Sequence, residues 1–246
     1  MTIDGKSPGE RAELLAKVLR SDTSATIRHT AAWGLAQYAD SPIASAALAI
    51  ALEHDASASV RETAAWALAG DDAAAPAVIA ALAGAVSHDA SDAVRATAAW
   101  ALGQIGDDAS VAALTVALND PSAEVRTRAT WAIGTIGPKR APAALMAKLA
   151  DRDPKVRELA AWALYSIRDA ASVPALESAL RSETNKDLQV ADIHALAGMG
   201  DKSLDAIRSL LESPDVRVKS IAVDALAGGN AAGPWPWPWP EPRPFP

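Results

Sequence analysis

The segment SVRETAAWALAGDD (59–72) decides the fold, because near copies of it recur along the chain. The clearest copies are TIRHTAAWGLAQYAD (26–40), AVRATAAWALGQIGDD (93–108), EVRTRATWAIGTIG (124–137) and KVRELAAWALYSI (155–167), and divergent ones are DLQVADIHALAGMG (187–200) and RVKSIAVDALAGG (217–229). Their opening aliphatic residues, numbered here as position 0 of each repeat, are Ile27, Val60, Val94, Val125, Val156, Leu188 and Val218. A repeat of roughly 30 to 34 residues is typical of stacked helix pairs.

Each repeat is predicted to contain two helices joined by a polar turn. An apolar helix such as SVAALTVAL (110–118) precedes the turn NDPSAE (119–124), and the second helix begins near Val125. Ser41 followed by Pro42, and Ser7 followed by Pro8, are helix-start signals, whereas glycines 70, 106, 137, 200 and 228 stand where helices should end. The sequence predicts an all-α, right-handed solenoid of about seven helix pairs over residues 1–228.

The chain composition narrows the classes of function. A formal net charge of -7 argues against nucleic-acid binding, which needs clustered lysine and arginine to neutralise phosphates. The lack of cysteine excludes disulfides, thiolate metal sites and a cysteine nucleophile. We find neither a secretory signal nor an apolar run long enough to cross a membrane, so a cytoplasmic protein without membrane contact is expected.

The repeats resemble the HEAT-like repeats of the phycobilisome-lyase type. That family's hallmark is Asp-x-x-x-x-Val-Arg-x-x-Ala-Ala-x-Ala-Leu-Gly, and the resemblance covers roughly residues 8–228. Four aspartates stand five residues before their valine: Asp55, Asp89, Asp120 and Asp151. The resemblance implies that the arginines at position 1 form a structural ladder with turn carboxylates or carbonyls. It also implies that the second helix of each pair lines a concave surface.

A tryptophan recurs at position 6 of five consecutive repeats. We call this set the tryptophan column: Trp33, Trp66, Trp100, Trp131 and Trp162. His194 takes the same position in the sixth repeat. On a helix, positions 0, 4, 7 and 8 share a buried stripe and position 6 lies off it. Because the second helices line the concave surface in the family that the repeats resemble, the resemblance implies that the column faces this groove. Slots about one ring thick are expected between neighbouring indoles, whose helices should lie roughly 10 Å apart.

Polar residues accompany the column at positions 3 and 10 and can bind peptide carbonyls and amides. We predict that the groove includes Thr30, Thr63, Thr97, Gln37 and Gln104. One alternative remains open at this point, namely that each indole packs sideways between neighbouring helices as part of the core.

The chain ends in PWPWPWPEPRPFP (234–246), after a Gly/Ala linker at 229–233. Alternating prolines favour the extended polyproline II helix, whose turn of about 9.3 Å matches the expected interval between column rings. Its predicted contact residues are Trp235, Trp237, Trp239, Arg243 and Phe245. We therefore expect a non-enzymatic scaffold whose groove binds a proline-rich segment, with its own tail as one candidate in cis or in trans. The tail can equally dock into another protein, or be presented as substrate to a modifying enzyme.

Enzymatic relatives within the resembled family supply the other hypotheses. Deoxyhypusine hydroxylases hold two irons with His-Glu pairs, but the nearest match, Arg28-His29-Thr30, lacks the acid, so no metal or cofactor is expected. HEAT-like glycosylases need a basic groove, which this acidic chain does not supply. The lyases bind linear tetrapyrroles or the proteins that receive them, and a groove of indoles can hold a flat pigment. The sequence leaves the partner open.

Overall fold

The structure is a computed structural model that describes residues 8–70 and 75–227. Within these ranges the α-helices are α1 (Pro8–Ser21), α2 (Ala25–Leu35), α3 (Pro42–His54), α4 (Ala58–Leu68), α5 (Pro76–His88), α6 (Asp92–Ile105), α7 (Val111–Ala117), α8 (Ala123–Ile136), α9 (Ala143–Ala147), α10 (Pro154–Ile167), α11 (Val173–Ser182), α12 (Lys186–Ala197), α13 (Leu204–Leu210) and α14 (Val216–Leu226). Short 3₁₀ turns cover the remaining helical residues, 36–38, 108–110, 148–150, 170–172 and 200–203. The described residues contain no strand, so the all-α prediction is confirmed.

The helices stack in the order that the repeats predict. The described residues form two compact units, which meet in sequence between Ala132 and Ile133. In the first unit, α2 contacts α4 and α4 contacts α6. The first helices of the pairs form a second row, in which α1 contacts α3, α3 contacts α5 and α5 contacts α7. In the second unit, α10 contacts α12 and α12 contacts α14. Each repeat is therefore a helix pair, and each unit is a stretch of α-solenoid. The handedness stays a prediction.

The buried stripe lies where helical periodicity places it. Leucine or isoleucine at position 8 is fully buried in six successive repeats, namely at Leu35, Leu68, Leu102, Ile133, Leu164 and Leu196. Alanine at position 4 allows the helices to approach closely, and Ala64, Ala98 and Ala160 are fully buried. Position 0 is buried from Val60 onward, but Ile27 in the first repeat is 47% exposed, which corrects the expectation for that residue.

Proline and glycine mark helix ends as predicted. Pro42 is the first residue of α3, where its missing N–H costs no intrahelical hydrogen bond. Gly106 and Gly137 follow α6 and α8 with φ angles of 76° and 64°, a left-handed conformation that glycine adopts without steric penalty. Ser7, Gly228, the linker at 229–233 and the tail at 234–246 lie outside the described residues.

An arginine ladder links successive repeats within each unit. The guanidinium Nε of Arg28 lies 2.7 Å from Asp55 Oδ2, and the same bond joins Arg61 to Asp89 at 2.7 Å and Arg95 to Asp120 at 2.7 Å. In the second unit Arg157 donates to Glu183 at 2.8 Å. Each arginine also donates to a carbonyl of the turn before its own helix, such as Arg61 to Asp55 O at 2.9 Å. The structural interpretation of these arginines is confirmed.

We expect Asp89→Asn to lower the free energy of unfolding by about 2 kcal/mol, as for other hydrogen bonds to charged groups. Asp89 accepts from Arg61 Nε at 2.7 Å, from Arg61 Nη2 at 2.9 Å and from the Ser91 N–H at 2.8 Å. Urea denaturation at pH 7 measures the loss, with the exposed Asp40→Asn as control.

The difference in unfolding free energy between wild type and Asp89→Asn is predicted to depend on pH. Burial raises the pKa of Asp89, but the hydrogen bonds from Arg61 and from the Ser91 N–H outweigh burial and hold this pKa below its usual value. A carboxyl with a lowered folded-state pKa stabilises the protein above about pH 4 and loses that effect as the pH falls. The difference between wild type and Asp89→Asn should therefore shrink at pH 3. An equal difference at both pH values would contradict this account.

Candidate functional site

The tryptophan column is not uniformly accessible. Trp33 is 41% exposed, and Trp66 and Trp162 are half-buried, whereas Trp100 and Trp131 are only 6% and 7% exposed. The prediction that all five indoles face an open groove is therefore wrong for Trp100 and Trp131. The alternative left open by the sequence, sideways packing between helices, describes these two residues.

Small residues explain how the indoles fit between helices. A Cβ placed on Gly103 would lie 2.7 Å from Cζ3 of Trp131, and one on Gly134 would lie 2.5 Å from Cζ3 of Trp162. Both glycines occupy position 9 of the repeat that precedes the tryptophan. The indoles of Trp131 and Trp162 thus lie against the preceding second helix at positions where the missing Cβ of a glycine gives them room.

The fifth and sixth repeats reverse this pairing of large and small residues. Tyr165 stands at position 9, where the earlier repeats have glycine or alanine, and the following repeat has His194 in place of tryptophan. The Tyr165 ring lies against Gly198, whose missing Cβ leaves it room. His194 is half-buried, and burial lowers its pKa. Ring size on one helix is thus matched to a gap on its neighbour, which is the signature of structural packing.

A slot between two column rings lies within the first unit. It has a volume of about 320 Å³ and an indole at each side. We call it the Trp66–Trp100 slot, and its lining residues are Ala36, Trp66, Ala67, Ala69, Gly70, Trp100 and Gln104. The binding role that the sequence assigns to such slots stays a prediction.

The predicted polar companions divide into two groups. Thr63 and Thr97 are buried. The Thr63 hydroxyl donates a hydrogen bond to Ser59 O at 2.9 Å, and the Thr97 hydroxyl donates one to the Glu62 carboxyl. Their assignment to an accessible groove is therefore corrected, since both hydroxyls are already used within the fold. Thr30 is exposed, although its hydroxyl donates to Thr26 O at 3.0 Å. Gln37 and Gln104 are exposed, and Gln104 borders the slot.

Acidic side chains beside the column were not among the predicted site residues. Burial raises the pKa of Glu62, while the hydrogen bond from Thr97 and the charge of His29 lower it, and the net shift is upward. Burial and the neighbouring Asp187 carboxylate raise the pKa of Glu158. Both glutamates stand at position 2, a periodicity that is visible in the sequence. They give the helix surface next to the indoles an acidic, half-buried character.

The described residues contain neither a metal-binding cluster nor a membrane-spanning helix. Over residues 8–70 and 75–227, no group of three or more histidine, aspartate or glutamate side chains is placed to hold a metal ion. Within the same ranges, none of the helices has the length and apolar character required to span a bilayer.

Comparisons with known proteins agree with this architecture. The profile of the HEAT repeats matches residues 45–122 and 111–197, which together cover more than half of the chain. The X-ray structure of YibA from Escherichia coli is 25% identical and covers 89% of this chain and 82% of its own, with a TM-score of 0.64. No curated protein sequence matches the chain.

Two further solved structures match the chain at lower identity. A designed armadillo repeat protein in complex with the peptide (KR)4 is 24% identical over 77% of this chain and 99% of its own, with a TM-score of 0.57. The CpcE–CpcF complex of phycocyanin lyase from Nostoc is 21% identical over 92% of this chain and 79% of that one, with a TM-score of 0.46. The match to the family profile, over repeats that the structure shows as stacked helix pairs, establishes that the chain belongs to the HEAT repeat proteins.

Proposed function

We propose that the protein is a non-enzymatic interaction scaffold that binds a proline-rich segment at the Trp66–Trp100 slot. The observation that carries the proposal is the slot itself, about 320 Å³ between two indoles with an exposed amide at its edge. Proline rings and flat aromatic rings fill such gaps, and the indole faces offer them apolar area at little cost in side-chain entropy. The Gln104 amide can donate to a carbonyl of an extended peptide, which has no internal hydrogen bonds.

The C-terminal segment 234–246 is the candidate ligand that the chain itself supplies. It alternates proline with tryptophan over residues 234–240, so rings of both kinds are available to enter the slot. Its one arginine, Arg243, has the charge that the half-buried Glu62 beside the column would attract. Docking in cis would occupy the slot of the same copy, and docking in trans would join two copies.

The direct test is a binding assay with a labelled peptide of sequence PWPWPWPEPRPFP and a chain that ends at residue 233. Fluorescence anisotropy of the label should show saturable binding. We expect Trp66→Ala to weaken it at least about tenfold, equivalent to about 1.4 kcal/mol. Trp33→Ala removes the same ring from the same repeat position but outside the slot, and it should retain affinity within about twofold.

The full-length chain should bind the labelled peptide more weakly than the truncated one, because a tethered tail competes at high effective concentration. Equal binding by wild type and Trp66→Ala, with both folded by circular dichroism, would refute the slot as the site. A visible absorption band in the protein as purified would instead support a flat pigment as the occupant.

A further inference from the structure

In interior repeats, each second helix is covered on two faces. One face packs against the preceding repeat and the other against the following repeat. Residues at positions 0 and 6 face the preceding repeat, as Trp131 shows by lying over Gly103. Position 9 faces the following repeat, as Gly103 shows in the same contact. Every interior residue at position 5 is fully buried, including Ala65, Ala99 and Ala161. Within residues 8–70 and 75–227, the first repeat has no earlier repeat beside it and the last repeat has no later one.

The first repeat leaves one stacking face uncovered among the described residues. Ile27 at position 0 is 47% exposed, whereas Val60 and Val94 at the same position are completely buried. Trp33 at position 6 is 41% exposed, and Thr30 between them is exposed as well. These side chains form an apolar surface on α2 where an earlier repeat would pack. We call it the α2 end face.

The last repeat leaves the opposite stacking face uncovered by any other described residue. Val223 at position 5 is 54% exposed, although interior residues at this position are fully buried. Ala227 at position 9, where glycine or alanine receives the indole in the first unit, is exposed too. These residues, with the exposed Ser220, form what we call the α14 end face.

Charged groups at the two end faces are complementary. Asp22 stands five residues before Ile27, and its Oδ1 accepts the Ser24 N–H at 2.8 Å, as Asp55 accepts the Ser57 N–H at 2.8 Å. Asp55 also forms an ion pair with the arginine of the preceding repeat. Among the described residues the Asp22 carboxylate has no such ion pair, although Arg28 donates to Asp22 O at 3.0 Å and the pKa of Arg28 is raised by its hydrogen bond to Asp55 and also by the charge of Asp22. Lys219 occupies the arginine position of the last repeat and is exposed. One end thus presents the acceptor half of a ladder rung, and the other presents the donor half.

We propose that a second copy of this chain covers these faces, with the α14 end face of one copy stacked on the α2 end face of the next. Trp33 then lies over Ala227 of the neighbouring copy, and Lys219 completes the ladder rung with Asp22. Such a contact joins two different surfaces, so it continues beyond a dimer unless it closes into a ring. The inference does not depend on the proposed function, because neither end face includes the Trp66–Trp100 slot.

A charge-swap experiment on the full chain tests the proposal by sedimentation velocity across a concentration series at low salt. Wild type should form dimers and larger species as its concentration rises. Lys219→Glu and Asp22→Lys each place like charges across the contact, so each alone should raise the concentration needed for assembly at least about tenfold. Mixing the two variants in equal amounts should restore assembly, because every junction between unlike copies then has opposite charges.

The remaining outcomes separate this contact from one made by the tail. A chain ending at residue 233 should assemble as wild type does, and loss of assembly on that truncation would overturn the proposal in favour of tail-mediated association. A wild type that stays monomeric at all concentrations would overturn it as well. Single variants that assemble like wild type would exclude the Lys219–Asp22 rung and the stacking that it defines.

Discussion

Gly134→Ala is expected to lower the free energy of unfolding by about 3 kcal/mol, the upper part of the range for overpacking a dense interior. The added Cβ would lie 2.5 Å from Cζ3 of Trp162 and 2.8 Å and 2.9 Å from Cβ and Cα of Ala163. An indole can turn aside, but the Ala163 backbone cannot move without shifting α10. The packing cost therefore exceeds the roughly 1 kcal/mol that alanine gains over glycine in a helix interior.

Gly84→Ala is the matched control, since it makes the same chemical change within a helix. Gly84 lies inside α5, and a Cβ placed on it meets nothing within 4 Å. This variant should stabilise the protein by about 0.5 to 1 kcal/mol through helix propensity alone. Urea denaturation followed by circular dichroism should therefore give shifts of opposite sign. If both variants were stabilised equally, the tight contact between Gly134 and Trp162 would be refuted.

The fold could be predicted because the same helix pattern recurs in each of the seven repeats. Periodicity in one repeat leaves a boundary uncertain by a few residues, but agreement among copies fixes both the period and the buried stripe. Pro42 and Gly106 then mark helix ends by backbone conformation, independently of hydrophobicity. The arginine ladder followed from the resemblance, which supplied the arginines and the turn aspartates Asp55, Asp89 and Asp120, whereas Glu183, the acceptor of Arg157, does not belong to that pattern.

The tryptophan column was misplaced for a physical reason. A helical wheel shows which side of one helix is apolar, but a solenoid helix also packs against the second helices before and after it. Burial of Trp100 and Trp131 therefore depends on neighbours that lie about thirty residues away in sequence. For Trp131 one signal was available, since Gly103 stands where the following indole needs space. Trp100 is preceded by Ala69 at position 9, so the same pairing gives no such signal for it.

The unexpected exposure of Ile27 is explained by its place in the first repeat. Ile27 matches the repeat as well as Val60 does, so sequence pattern assigns both to the core. Only the lack of an earlier repeat among the described residues leaves Ile27 exposed. Periodic sequence predicts which face of a helix can be buried, whereas burial itself requires a partner.

Asp192→Ala is expected to stabilise the protein by about 3 kcal/mol at pH 7, an unusually large gain for one substitution. Asp192 is 5% exposed and stands at position 4 of its repeat, where Ala160 and Ala222 are completely buried in the flanking repeats. Burial raises the pKa of Asp192 to about 8, the Glu183 carboxylate raises it too, and Arg157 opposes them. Alanine at this position would restore the apolar contact that the other repeats make.

The stability gained by Asp192→Ala should depend on pH. The raised pKa of Asp192 determines the direction of this dependence. Below about pH 4 the carboxyl is neutral in both the folded and the unfolded chain, so it costs little to bury. As the pH rises toward 8, the unfolded chain ionises while the folded chain keeps its proton, and stability falls by at most about 1.4 kcal/mol per pH unit. The penalty is then constant above pH 8, where both states are ionised.

Urea denaturation of wild type and Asp192→Ala at pH 4.5, 6 and 8 would reveal this dependence as a widening difference between the two proteins. Asp224→Ala changes an exposed aspartate on α14 and should stay within about 0.5 kcal/mol of wild type at each pH. Asp192→Asn separates charge from size, because the amide removes the ionisation but remains a buried polar group. It should abolish the pH dependence while recovering only part of the stability. A gain from Asp192→Ala that is the same at all three pH values would show that the carboxyl is ionised inside the fold.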